Sequence, residues 1–286
     1  MKFIRYAKNG ESRIGVVEDQ MVRAIEPTVS DMVELIENYD RLRGEIRAVG
    51  EPMPLDSLTI EAPIPAPRRN IFCVGKNYHA HAKEFSQSGF EAGAVAGAEV
   101  DEFPAVFTKP ASCVVGTGDV VQLHGDVTQS VDYEIELALV IGKGGRNIPK
   151  ARAYEHIWGY MIVNDVTARD RQKQHKQWFL GKALDTFCPM GPWIATADEV
   201  DPENLDLETQ VNGEVRQKAN TSDLIFDIPS LVETISAGLT LVPGDVIATG
   251  TPVGVGIGFK PPRFLKPGDV VRMSITGLGM LENSFQ

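Results

Sequence analysis

Val131-Asp132-Tyr133-Glu134-Ile135-Glu136-Leu137-Ala138-Leu139-Val140-Ile141 is apolar enough to be a buried strand, yet it carries two glutamates two positions apart. Strand side chains alternate between faces, so Glu134 and Glu136 share a face and converge on one site. Two carboxylates buried side by side cannot both stay ionised without a counter-charge. A divalent cation is the economical solution, and an all-oxygen site suits Mg²⁺, Mn²⁺ or Ca²⁺. The competing reading of the same letters is an edge strand with a solvated acidic face. A second apolar strand, Trp158-Gly159-Tyr160-Met161-Ile162-Val163-Asn164-Asp165, also ends on an acid. Asp165 reads either as a helix cap or as a third oxygen ligand, which would leave about three positions of an octahedron for water and substrate.

Working outward, the chain has 286 residues, 43% of them hydrophobic and 23% charged, so it has ample material for a packed core and is neither disordered nor fibrous. No run approaches the ~20 apolar residues of a membrane helix. The start, Met1 to Lys8, interleaves basic and apolar residues without a secretory core, so a cytoplasmic protein is expected. A net charge of −11 without a basic stripe argues against nucleic acid as a partner. It does not repel a small anionic substrate, because the local charge of a site overrides the global sum. Cys73, Cys113 and Cys188 form no CxxC pair and are odd in number, which points to free thiols buried as small hydrophobes.

Short apolar runs punctuated by turns dominate the sequence. Strands are expected at 2–6, 14–18, 71–74, 105–108, 133–141, 159–165, 193–196, 207–211, 246–249 and 270–275. Helices are expected at 32–40 behind a Ser30-Asp31 cap, at 78–86 and at 228–237, with a weaker one at 150–156. Gly-Asp-Val occurs four times, at 118, 125, 244 and 268, with irregular spacing that indicates shared turn chemistry rather than a repeat. Pro52, Pro54, Pro63, Pro65 and Pro67 read as an extended connector. The expectation is a mainly β, α+β protein with a small N-terminal α+β domain at 1–65 and a larger domain at 66–286, without alternating βαβ units.

Three further segments carry candidate chemistry. In Cys73 to Glu84, His81 and Glu84 are three apart on one helical face, where the carboxylate can orient the imidazole as a general base; an exposed surface pair is the plainer alternative. Gly89 to Gly97 is rich in Gly and Ala, as expected of a mobile flap. Gly181-Lys182 places a lysine in a turn, either at the surface or as an electrophile for a developing oxyanion. Thr249-Gly250-Thr251-Pro252-Val253-Gly254-Val255-Gly256 is a glycine-rich loop offering backbone donors and hydroxyls to an anion. P-loop, dinucleotide and nucleophile-elbow patterns are all missing from the sequence.

The ordered set Gly-Lys-Asn-Tyr-x-x-His-x-x-Glu (75–84), Phe107-Thr108-Lys109-Pro110, Asp132-Tyr133-Glu134-Ile135-Glu136-Leu137, Asn164-Asp165-Val166-Thr167-Ala168-Arg169-Asp170 and Thr249-Gly250-Thr251-Pro252 resembles the fumarylacetoacetate hydrolase family over residues 70–285. The N-terminal unit resembles the variable extra domain of its bacterial members. The resemblance implies a mixed β-sandwich roll and a homodimer. It further implies one Mg²⁺ or Mn²⁺ held by Glu134, Glu136 and Asp165, with Ca²⁺ substituting without activity. It assigns His81 and Glu84 to a water-activating dyad on a lid, and Lys182 to the site lysine. Arg169 and Gln172 would approach substrate, and Thr251 would hold its carboxylate. Lys109 and Tyr78, inside matched motifs, are expected beside the substrate. An additional aspartate ligand known in the eukaryotic hydrolase has no match here (Asp126 lies in a Gly-Asp-Val turn), so three ligands are expected. Gln174 to Phe179 reads as a distal pocket wall or a solvated loop.

The implied function is hydrolytic cleavage between C3 and C4 of a 2,4-dioxo acid, the charge of the pyruvate enolate being stabilised by metal and Lys182. Oxaloacetate decarboxylation or tautomerisation and ureidoglycolate-type lysis are the enzymatic alternatives. An inactive metal-bound binding protein is the non-enzymatic one.

Overall fold

The computed structural model describes residues 1–90 and 101–286. Residues 91–97 of the expected flap lie outside the described residues. The strand Ile135–Ile141 lies inside the largest sheet, antiparallel to Ile157–Asn164 on one side and to Val246–Ala248 on the other. All seven of its residues are buried. Ile135, Leu137, Leu139 and Ile141 share a core with Leu207, Val271, Met273 and Leu281 from a second, five-stranded sheet. Ala138 and Val140, on the opposite face, pack in a core with Cys73, Met161 and the apolar side of the helix Met32–Leu42. Covered on both faces, the strand is apolar throughout except at the end that carries the glutamates.

The N-terminal unit continues the same sheet. Lys2–Lys8 pairs antiparallel with Cys188–Thr196, matching Phe3 to Ile194, and Glu11–Glu18, Met21–Glu26 and Arg47–Pro54 follow outward as successive antiparallel strands, the last after the helix Met32–Leu42. The helix Met32–Leu42 starts where the cap was expected: the Asp31 side chain accepts from the Glu34 N–H at 2.8 Å. Pro52 and Pro54, expected in a connector, instead lie in the edge strand Arg47–Pro54, where a missing N–H costs no ladder bond.

Three of the four Gly-Asp-Val segments share one device. Gly118, Gly244 and Gly268 have positive φ, and the following aspartate accepts from the N–H three residues before it: Asp119 from Gly116, Asp245 from Val242 and Asp269 from Lys266, at 2.7 to 2.8 Å. The expected continuous strand at 133–141 is broken. Val131–Asp132 pairs with Thr167–Ala168, and pairing with Ile157–Asn164 resumes at Ile135. At the break the Glu134 N–H donates to Asn164 Oδ1 (3.0 Å), so a side chain replaces the ladder.

His79–Gln87 and Ile228–Ser236 are α-helices as expected, whereas Lys150–His156 is a 3₁₀ helix. Two short helices, Arg169–Gln174 and Phe179–Lys182, had no periodicity to reveal them. Lys182 therefore closes a helical turn rather than lying in a bare turn. Gly181 permits this: a Cβ there would meet Gln172 N at 2.6 Å and Ala168 O at 2.8 Å.

Candidate functional site

Glu136 lies in the strand Ile135–Ile141, Glu134 immediately precedes it and Asp165 immediately follows its neighbour Ile157–Asn164, with the Asp165 N–H bonded to the Glu134 carbonyl at 2.9 Å. Each offers a carboxylate oxygen, these atoms lie within 4.8 Å of one another, and all three residues are buried. No other such group of His, Cys, Asp and Glu occurs among the described residues. The acidic face is therefore not solvated. Nor does Asp165 cap a helix, since Ala168 occupies the cap position of Arg169–Gln174.

Three buried cations answer these acids. Lys182 Nζ is 2.8 Å from Glu134 Oε2 and 2.6 Å from Asp165 Oδ2. Lys109 Nζ is 2.6 Å from Asp165 Oδ1. Arg169 reaches Glu134 Oε1 through Nη2 (2.6 Å) and Asp132 Oδ2 through Nε (2.9 Å), and its Nη1 donates to Gln172 Oε1 (3.2 Å). Four carboxylates (Asp132, Glu134, Glu136 and Asp165) against three cations leave a sum of −1.

The imbalance falls on Glu136. Burial opposes ionisation of Glu134, but Lys182 and then Arg169 outweigh it and hold that carboxyl down to about 2. Burial, then the charges of Asp165 and Glu134, push Glu136 well above the usual carboxylate range. Its carboxyl accepts a hydrogen bond from the Gly250 N–H (2.7 Å). A buried, all-oxygen triad one positive charge short of neutrality fits a hard divalent cation.

On the helix His79–Gln87, His81 Nδ1 lies 3.1 Å from Glu84 Oε2, and both side chains are largely buried, so this is no exposed surface pair. Glu84 Oε1 accepts from the Gly254 N–H at 3.0 Å. A Cβ on Gly258 would stand 1.8 Å from that same Oε1, so the glycine makes room for the carboxylate. Phe85 packs with Val255, Ile257 and Trp178 and seats the helix on this loop.

The space between these groups is a cavity of about 10 Å³, lined by His81, Glu134, Glu136, Arg169, Gln172, Lys182 and Thr251, with Trp178 on the wall. Trp178 is the one residue of the expected distal segment that lines it. Clefts of about 680 and 1060 Å³ occur elsewhere but share none of these residues, and chemistry rather than size marks the site. Two of the expected residues lie outside this lining. Lys109 lies behind Asp165, also donating to the Val166 and Lys182 carbonyls, and does not reach the cavity. Tyr78 sits just before the helix His79–Gln87, buried and outside the lining.

The glycine-rich loop also differs from expectation. The N–H groups of Gly250, Gly254 and Gly256 donate to Glu136, Glu84 and Asp132, so these donors position the protein's own carboxylates rather than an external anion. Positive φ at Gly250 and Gly254 aims them inward. Sequence reasoning missed Asp132 as a hub: its carboxylate accepts from Gly256 N (2.6 Å), Ile257 N (3.1 Å) and Arg169 Nε (2.9 Å). Its even numbering, shared with Glu134 and Glu136, was the available signal.

The fumarylacetoacetate (FAA) hydrolase C-terminal family pattern matches residues 70–286, and an Rv2993c-like N-terminal pattern matches residues 1–63. The chain belongs to the fumarylacetoacetate hydrolase family. It is 52% identical over 230 residues to oxaloacetate tautomerase YisK of Bacillus subtilis (strain 168), covering 80% of this chain and 73% of that protein. Among solved structures it resembles the fumarylacetoacetate hydrolase EaFAH of psychrophilic Exiguobacterium antarcticum, with a TM-score of 0.86 and 43% identity over 100% of this chain and 99% of that one. It also resembles maleylpyruvate hydrolase from Sphingobium sp. SYK-6 in complex with manganese (II) ion and pyruvate, with a TM-score of 0.78 and 33% identity over 100% of this chain and 98% of that one. The sheet-rich α+β architecture with few helices is that of these fumarylacetoacetate hydrolase family structures.

Proposed function

We propose that this chain is a divalent-metal-dependent enzyme that interconverts the keto and enol forms of a short 2-oxo dicarboxylic acid, with oxaloacetate as the substrate. The observation that carries the reading is that His81, held by Glu84, and Lys182 meet the buried carboxylate cluster of Glu134, Glu136 and Asp165 at one small cavity. The 52% identity to an oxaloacetate tautomerase supports the choice of reaction.

Tautomerisation moves one proton between C3 and the C2 oxygen. With Nδ1 tied to Glu84, His81 offers Nε2 to that proton, and the tie fixes the ring's tautomer and orientation. Lys182 places a positive charge beside the oxygen on which negative charge develops. Arg169, Gln172 and Thr251 offer donors along the walls for carboxylate oxygens. Lys109 is assigned to holding Asp165 in place rather than to touching substrate. A divalent ion held by Glu134, Glu136 and Asp165 would supply Lewis-acid stabilisation of the same developing charge. The homodimer and the cytoplasmic setting belong to this proposal, supported by the family resemblance and, for the compartment, by three buried free cysteines.

Hydrolysis of an acylpyruvate is the second reading, favoured by the intact His81–Glu84 pair, which suits proton removal from water as well as from carbon. Following enol-oxaloacetate disappearance and acylpyruvate cleavage side by side, with Mg²⁺, Mn²⁺, Ca²⁺ or chelator, separates the two. Tautomerisation should require Mg²⁺ or Mn²⁺ and fall roughly 10²–10⁴-fold in His81→Ala. Faster acylpyruvate cleavage would establish the second reading, and inactivity on both by metal-loaded protein would leave a binding protein.

A further inference from the structure

Gln217 lies on the strand Glu214–Asn220 of the second sheet, fully buried, beside a register shift in its pairing with Asp206–Val211. Its amide spans the core to two parts of the site at once. Oε1 accepts from the Ile135 N–H (3.3 Å), between the two glutamates, and from the Thr209 hydroxyl (3.0 Å). Nε2 donates to the Pro252 carbonyl and to Thr251 Oγ1, both at 2.8 Å.

The orientation of this amide is not free. A backbone N–H can only donate and a backbone carbonyl can only accept, so Ile135 fixes where Oε1 lies and Pro252 fixes where Nε2 lies. Thr251 Oγ1 then receives a hydrogen from Gln217. Its own hydrogen is left for the cavity, whose wall it forms. With one of its two lone pairs taken, the hydroxyl is biased toward donating its hydrogen to a ligand, and together with Lys182 and Arg169 it adds a donor to that wall.

We propose that Gln217 is a positioning residue that sets the polarity of the Thr251 hydroxyl, so that the cavity selects a ligand carboxylate over a group that must itself donate. This rests on reading the cavity as a 2-oxo acid site. Gln217 touches no substrate: it acts through Thr251, and its side chain pre-orients a donor before any ligand arrives.

Oxalate, which cannot turn over, is the probe, titrated calorimetrically into Mn²⁺-loaded wild type, Gln217→Met, Thr251→Val, Thr251→Ser and the Gln217→Met/Thr251→Val double variant. Loss of a hydrogen bond to a charged group should weaken oxalate roughly tenfold in Gln217→Met and in Thr251→Val. Thr251→Ser should stay within about twofold because it keeps the hydroxyl. The double variant should be no worse than the poorer single one, since both remove the same donor. In tautomerisation assays KM should rise in Gln217→Met with kcat nearly unchanged.

Unchanged oxalate affinity in folded Gln217→Met, or multiplicative losses in the double variant, would overturn the proposal. Should Gln217→Met not fold, equal oxalate affinity of Thr251→Val and Thr251→Ser would overturn it, and tenfold weaker binding by Thr251→Val would support it. Oxalate binding that depends on the pair in a protein that does not tautomerise oxaloacetate would refute the catalytic reading alone. A metal-loaded wild type that binds no oxalate would refute both.

Discussion

Glu136→Gln separates the cost of the buried acid from its use. The substitution takes the metal-free cluster from −1 to 0 while an amide oxygen keeps the Gly250 N–H bond of 2.7 Å. Burial and two neighbouring carboxylates hold the folded Glu136 carboxyl above its unfolded value. The stability linked to such a group is fully present below the unfolded carboxyl range near pH ~4 and is lost as pH rises through the folded value, at about 1.4 kcal/mol per pH unit. In chelator, wild type and variant should therefore melt together near pH ~4, and the variant should melt higher at pH ~8. With Mn²⁺ at about 100 times the wild-type Kd, wild type should gain about 2.7 kcal/mol, or roughly 5–10 °C in Tm for a chain of this size. A variant whose affinity falls about 100-fold gains only ~0.4 kcal/mol at the same concentration, or roughly 1–2 °C. Scanning calorimetry at both pH values, with and without metal, reads every arm. The reasoning fails if wild type shows no metal-induced shift, or if the metal-free variant is the less stable protein at pH ~8.

Asp132→Asn should cost about 3 kcal/mol, because the buried Arg169 guanidinium loses one of its two charged partners and keeps only Glu134; urea unfolding should show a lower midpoint at unchanged slope. Gly258→Ala puts a methyl against Glu84 Oε1 and should lower kcat at least tenfold through loss of imidazole orientation, while circular dichroism stays native. Asp31→Ala should cost about 1 kcal/mol by uncapping Met32–Leu42, with no change in KM since the helix lies outside the cavity lining. Leu137→Ala, fully buried between the sheets, should cost about 2–5 kcal/mol; a loss under ~1 kcal/mol in denaturant unfolding would contradict the packing described.

Much of the site was legible because its signals are local. Glu134 and Glu136 share a face by strand alternation, His81 and Glu84 by helical spacing, and the family's motifs carry Asp165 and Lys182. That Lys109 and Tyr78 lie outside the cavity lining was not legible, because motif membership says nothing about which side of Asp165 a long side chain approaches. The proline strand was misread because proline is tolerated at a sheet edge, and edges are defined by pairing partners far away in sequence.

The amino-acid order by itself determined the local geometry: the two-residue period of 135–141, the Asp31 cap, the three Gly-Asp-Val turns and the acids clustered at one strand end. These depend on a residue and its near neighbours, through dihedral preference and side-chain alternation. Tertiary structure alone decided which buried polar groups meet, such as Asp132 with Gly256 and Gln217 with both Ile135 and Thr251. Such pairings follow from the demand that every buried donor find an acceptor, and only the packed chain shows which one lies within reach.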